Sequence, residues 1–301
     1  MVKENTFSKE NLIFPLFVVH GNNIRKEIPN LVNNYHVSID RLPSEIESIS
    51  KSGINKILLF GVPEKKDLLG TEAYSENGIV QQAVKKIKQS NDTLMVITDV
   101  CLCEYTEHGH CGIIKNNYLM NDESVELISK TALSHAEAGS DMVAPSAMLD
   151  GQIGAIRSIL DSNDFSNTPI MAYSAKYASI LYANFFKYGT GNEVRFGDKK
   201  THQMDYANGN EALREIALDI EEGADIIMVK PAMMYLDIVY RAKSQFNIPL
   251  AVYNVSGEFE MVEKISDDLK WSLKLEMMTA FKRAGADMII TYHAREIAEK
   301  I

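Results

Sequence analysis

The residues with the most chemistry in the fewest positions run from Asp99 to Gly112: Asp-Val-Cys-Leu-Cys-Glu-Tyr-Thr-Glu-His-Gly-His-Cys-Gly. All three cysteines of the chain lie here, spaced C-x-C-x7-C at Cys101, Cys103 and Cys111. An odd number of thiols argues against a disulfide framework. Gathered in a loop directly after the apolar run Leu94 to Ile97, they have the density and softness that zinc selects. A structural zinc site closes with four protein ligands, whereas a catalytic one keeps a position for water or substrate, so three cysteines favour catalysis. His108 or His110 could close the site as a fourth ligand, and three cysteines in a reducing compartment can also be plain buried apolar residues. The clustering favours the open metal site over both.

Two lysines stand where apolar runs end. Lys176 follows the run Pro169 to Tyr173, and Lys230 follows Asp225 to Val229. A single lysine in such a place is more often a solvated surface group. Two of them near a thiol cluster say more: partial desolvation and mutual repulsion both lower an amine's pKa, and a neutral amine attacks a ketone to form a Schiff base. The expectation is that both amines are depressed and that the substrate is a carbonyl compound.

These groups can meet only if the chain folds back repeatedly. Eight short apolar runs read as strands buried on both faces: Leu12 to Val19, Lys56 to Val62, Leu94 to Thr98, Asp141 to Ala144, Pro169 to Tyr173, Asp225 to Val229, Pro249 to Val255 and Asp287 to Thr291. Between them lie helical patterns, such as the stripe Leu213, Ile216, Ala217 and Ile220. Ser44 and Glu47 fit a capping box that starts a helix after Pro43. Glycines just before strands, at Gly53, Gly139, Gly223 and Gly285, fit short helix-to-strand turns. Eight such units over 301 residues suit an α/β fold, either a closed (β/α)8 TIM barrel or a doubly wound sheet. No glycine-rich phosphate loop follows the first strand, so the barrel is preferred. The expected organisation is a single barrel over residues 1–301, with a short N-terminal extension at 1–11. A long active-site lid after strand five, at 177–210, is rich in Gly, Lys, Asn and aromatics.

Barrel enzymes place their chemistry at the C-terminal ends of the strands. There the sequence offers the cysteine loop, Pro145-Ser146, Ser174-Ala-Lys176, Lys230-Pro231, Ser256-Gly257 and Tyr292. A net charge of −10 with scattered lysines offers no basic face to a nucleic acid. Leu12 to Val19 is too short for a signal peptide or a membrane span, so a soluble, cytoplasmic protein is expected, with no nucleic acid and no membrane as partner.

The cysteine stretch, together with Ala144-Pro-Ser-Ala-Met-Leu-Asp-Gly151, Met228-Val-Lys-Pro231, Tyr235-Leu-Asp-Ile238 and Val255-Ser-Gly-Glu258, closely resembles porphobilinogen synthase, also called δ-aminolevulinic acid dehydratase. The likeness runs from about Leu12 to the C-terminus and includes the cysteine-rich, zinc-dependent form of the metal motif. It implies condensation of two 5-aminolevulinate molecules to porphobilinogen with loss of two waters, an early step of tetrapyrrole biosynthesis. By that resemblance Lys230 and Lys176 match the family's two Schiff-base lysines. Cys101, Cys103 and Cys111 match its zinc ligands, and Asp99 a carboxylate near both. Read from the residues alone, Asp99 could equally be a group that only orients the metal loop.

The resemblance also assigns Ser256 and Tyr292 to one substrate carboxylate. Gln203 and two lid cations, Lys187 and Lys199, fall to the other. The family usually has arginines at those two cation positions, and a one-residue insertion in Tyr182-Ala-Asn-Phe-Phe-Lys187 blurs the first match. Lysine keeps the charge and loses the bidentate fork, so weaker binding there is expected. Glu215 lies where some members place an allosteric magnesium ligand, although a glutamate on a helix face is usually just solvated. Family members form homo-oligomers, often octamers held by a longer N-terminal arm. Only about eleven residues precede Leu12 here, so a smaller assembly is expected. The competing readings are another Schiff-base lyase of aldolase type on the same barrel, and a zinc-binding homologue that has lost turnover.

Overall fold

The computed structural model describes residues 2–191, 194–195 and 197–301. Positions 192, 193 and 196 of the expected lid, and residue 1 of the N-terminal extension, lie outside the described residues. After a short turn at Lys9–Asn11 the chain enters β1 (Leu12–Val19), then a hairpin of β2 (Arg25–Ile28) and β3 (Leu31–Ser38). There follow α1 (Leu42–Lys51), β4 (Lys56–Val62), α2 (Ile79–Ser90) and β5 (Met95–Val100). A two-residue hairpin, β6 (Ile114–Lys115) and β7 (Tyr118–Leu119), precedes α3 (Asn121–Glu137). The second half runs β8 (Met142–Pro145), α4 (Gln152–Ser162), β9 (Met171–Lys176), α5 (Asn210–Glu221), β10 (Ile226–Lys230), α6 (Leu236–Gln245), β11 (Leu250–Asn254), α7 (Ser256–Glu263), α8 (Asp267–Ala284), β12 (Met288–Thr291) and α9 (Ala294–Lys300).

Eight of these strands pair in parallel in the order β8-β5-β4-β1-β12-β11-β10-β9. A parallel bridge between Val143 and Ile170, with Val143 N donating to Pro169 O at 3.1 Å, joins the two ends and closes the barrel. These are the eight strands expected from the apolar runs, with ends displaced by a few residues at most. The β2–β3 hairpin was not foreseen. β2 is polar and mostly exposed and β3 mixes buried with exposed positions, so no continuous apolar run announces the hairpin. The helix expected from a Ser44 cap begins earlier, at Leu42, because Pro43 fits the first turn. Ser44 Oγ instead donates to Arg41 O at 2.9 Å. The four expected turn glycines all take positive φ, between 94° and 115°, a region costly to any other residue.

Side-chain parity divides the core in two. On β1, Ile13 and Phe17 point into the barrel, while Leu12, Phe14, Leu16 and Val18 meet the helical layer. On β10, Ile226 and Met228 point inward, so Lys230 does too. Strict alternation on β9 from Met171 and Tyr173, both inward, would aim Lys176 outward. The pairing of β9 with β10 shifts by one residue: Ile227 opposes Ala172, but Val229 opposes Ala175. This bulge resets the parity and brings Lys176 inside, directly opposite Lys230.

Candidate active site

The mouth at the C-terminal strand ends is assembled around that register pair. Lys176 and Lys230 are 3% and 4% exposed, so neither is a solvated surface lysine. Their ammonium nitrogens lie 5.5 Å and 5.3 Å from the centre of one ring, Tyr173. Lys176 Nζ donates to the carbonyl of Ser146, and Ser146 Oγ donates to Asp99 Oδ2 at 3.1 Å. Asp99 Oδ1 is buried without a hydrogen-bond partner. Lys230 Nζ is enclosed by aromatic rings, with centroids at 4.4 Å for Tyr253, 5.0 Å for Tyr182 and 5.2 Å for Phe185. Tyr182 and Phe185, from the segment after β9, pack into the interior core and roof the pair.

The two amines differ in their electrostatics. Burial, then the nearby Lys176 charge, lowers Lys230 to about 7. Burial opposes the charge on Lys176 as well, yet the sulfurs of Cys111, Cys101 and Cys103 more than offset it and raise this ammonium above its ordinary value. The expectation that both amines are depressed is therefore corrected: proximity to anionic sulfur outweighs desolvation at Lys176. Burial, then the charge of Glu104, raises Asp99 to about 7, while the two lysines pull it the other way.

Cys101, Cys103 and Cys111 are buried and reduced, and their sulfurs lie within 4.8 Å of one another, with Cys101 Sγ 3.2 Å from Cys103 Sγ. Their donor chemistry fits zinc: three soft ligands converge, and among the described residues neither His108 nor His110 belongs to the converging set. Burial pushes the Cys101 and Cys103 thiols well up. Hydrogen bonds from those two, followed by the Lys199 charge, hold Cys111 well below the usual thiol range. Without a metal the trio thus favours one thiolate; holding three calls for a bound cation.

The remaining expected site residues divide. Lys199 is buried, with Nζ 3.5 Å from Cys111 Sγ and 3.7 Å from the Phe186 ring centre, and the sulfurs raise its charged form's stability despite burial. Gln203 is buried, accepts from Tyr182 OH at 2.7 Å, and leaves Nε2 without a partner. Ser256 opens α7, its hydroxyl 3.4 Å from Leu181 O, and Tyr292 OH lies 3.2 Å from Tyr253 OH. Lys187 does not join them. Its side chain is exposed on a π-helical turn, Phe185–Gly189, with Nζ 5.4 Å from the Tyr188 ring centre. Glu215 lines a polar cleft of about 150 Å³ with Asp150, Glu211 and Asp219, and Gln203 borders the same cleft. Burial, then the charges of Asp150 and Glu211, raises the Glu215 pKa, and among the described residues Glu215 belongs to no converging metal-capable group.

Tyr173, Tyr182, Phe185, Tyr253 and Glu104 were not foreseen as site residues. An aromatic residue gives no chemical signal in sequence, although Tyr173, Tyr253 and Tyr292 all sit near the ends of otherwise aliphatic strands. Among the described residues, no helix is long and apolar enough to cross a membrane.

A closed parallel barrel with two buried lysines at its mouth and three converging cysteines that could hold a soft metal defines the class as a TIM-barrel protein. Comparison with known proteins narrows the class. The family model for delta-aminolevulinic acid dehydratase matches residues 1–300. The delta-aminolevulinic acid dehydratase of Methanothermus sociabilis is 52% identical over 303 positions, covering 100% of this chain and 94% of its own length. That of Bacillus subtilis (strain 168) is 47% identical, covering 99% and 93%. The crystal structure of the Toxoplasma gondii ME49 enzyme, in complex with the reaction product porphobilinogen, matches with a TM-score of 0.96 at 36% identity, covering 99% of this chain and 86% of that one. The chain belongs to the delta-aminolevulinic acid dehydratase (porphobilinogen synthase) family. Its activity is that of a 5-aminolevulinate dehydratase, a hydro-lyase of heme and tetrapyrrole biosynthesis.

Proposed function

We propose that the chain joins two 5-aminolevulinate molecules through Schiff bases on Lys230 and Lys176, with Cys101, Cys103 and Cys111 holding a catalytic zinc. The observation that carries this reading is the β9 bulge, which sets both amines inside one buried mouth beside the three sulfurs. With a pKa near 7, Lys230 has a substantial neutral fraction at neutral pH, so its Nζ can attack the ketone carbon of one substrate; water leaves and an iminium remains. Lys176 forms the second Schiff base once its ammonium gives up a proton.

An iminium acidifies the neighbouring C–H bonds. Asp99, buried, poised near 7 and with one oxygen unpartnered, is suited to take such a proton and return it. Its link through Ser146 to Lys176 supports that role over one of merely orienting the loop. When bound, zinc would supply Lewis-acid polarisation beside the second substrate. Ser256 and Tyr292 hold the carboxylate of the first substrate, while Gln203 and Lys199 hold that of the second. The segment 177–210 serves as the lid, since Tyr182 and Phe185 already cover the amines and exclude water.

Borohydride reduction in the presence of 5-aminolevulinate, followed by peptide mass spectrometry, tests the covalent steps. Substrate mass on Lys230 is the expected result, and no label on either lysine would remove the mechanism. A porphobilinogen assay with and without a zinc chelator tests the metal, and unchanged turnover after complete chelation would exclude it.

A further inference from the structure

A second cluster of ionisable groups lies outside the reacting centre, on the three helices that follow β11 and β12. Lys274 of α8 is buried, at 3% exposure. Its ammonium lies 2.7 Å from Glu263 Oε1, at the end of α7, and 2.5 Å from Glu296 Oε2 on α9. His293 Nδ1 approaches the same Glu263 oxygen at 3.6 Å. Ligand atoms of Glu263, His293 and Glu296 fall within 4.8 Å of one another, a spacing that would suit a metal ion. The Lys274 ammonium already stands between the two carboxylates, so this cation site is filled by the chain itself.

What the bridge ties together gives it a function. α7 begins with Ser256 and ends with Glu263; Tyr292 immediately precedes His293, and Glu296 is one turn further on. Phe259 of α7 stacks on His293 at 4.3 Å and meets Tyr292 edge-on at 5.8 Å. Ser256 and Tyr292 thus sit on two elements joined on one side by aromatic contacts and on the other by a carboxylate–ammonium–carboxylate bridge whose ammonium is buried and whose carboxylates are partly exposed. We infer that Lys274 is a positioning residue for substrate: it fixes the spacing of Ser256 and Tyr292 and so sets how well the first 5-aminolevulinate is held for attack by Lys230. This rests on the proposed carboxylate role of Ser256 and Tyr292.

The test is the 5-aminolevulinate concentration that gives half-maximal borohydride trapping at Lys230, measured in the full-length protein alongside the melting temperature. Lys274→Met should raise that midpoint about tenfold, because a small misplacement of a binding pair is costly. Glu296→Gln, which leaves the Glu263 contact in place, should raise it less and serves if Lys274→Met fails to fold. Ser256→Ala is the control for the underlying reading. If Ser256→Ala raises the midpoint while Lys274→Met and Glu296→Gln lower only the melting temperature, the bridge is structural and the inference is overturned. If Ser256→Ala leaves the midpoint unchanged, the carboxylate role itself fails and the inference falls with it.

Discussion

Lys176 and Lys230 are the same residue type, at the ends of adjacent strands, opposite one another in register, and their surroundings drive them apart. Lys230 faces rings and hydrocarbon, so burial dominates and its amine falls to about 7. Lys176 faces the three-sulfur loop, and anionic sulfur reverses the effect of burial. A lysine's readiness to act as a nucleophile is therefore a property of the wall opposite it. The barrel mouth has two such walls, an aromatic one built on β9, the segment that follows it and β11, and a sulfur one on the loop after β5.

The strongest way to break this comparison is to remove each amine in turn. Lys230→Ala should lower porphobilinogen formation by about four orders of magnitude or more and abolish trapping at that position. Lys176→Ala should also stop turnover but leave trapping at Lys230 intact; equal loss of trapping in both would mean the two walls are not independent. Next in size is the metal. Chelation, or Cys111→Ala, should cost about a hundredfold or more in turnover while Lys230 continues to be trapped, separating the sulfur side from the aromatic side.

The pH dependence sharpens the contrast. Because the Lys230 pKa is lowered to about 7, its neutral form grows as pH rises through that value, so the trapping rate at Lys230 should increase between about pH 6 and 8. Lys176→Met removes a like charge, which raises the Lys230 pKa and should move this limb to higher pH. A limb that stays in place would show that burial alone sets it.

Lys199→Arg restores a bidentate fork at a buried position and should improve substrate KM by about threefold. Lys187→Ala, at an exposed position, should change KM by less than about twofold. A larger loss there would mean that the lid brings Lys187 inward when substrate binds.

Where the chain runs continuously apolar, as in Leu12 to Val19, sequence alone was enough to place the strands, because burial on both faces leaves little freedom in what those residues can do. The strand-end lysines were legible for a related reason, since an amine is expensive to bury without a use, and the cysteines were legible because all three cluster in one short loop. What stayed hidden depends on geometry that pattern does not carry. Counting alternate residues from Tyr173 puts Lys176 on the wrong face, and only the shift against β10 corrects it. Nothing in the letters distinguishes the partner of Lys176 from that of Lys230, so the opposite directions of their pKa shifts could not be foreseen. The Lys274 bridge joins positions from three helices, and no spacing rule connects them.

The rings around Lys230 bear on more than dryness. Aromatic faces attract positive charge, so the enclosure that strips water from the amine also offers a cation some compensation. At neutral pH the nitrogen can then hold or lose its charge at nearly equal cost. In the proposed cycle it passes from bare nucleophile to charged adduct and back, and a cage nearly indifferent to that change lets the reaction turn over without rebuilding its walls.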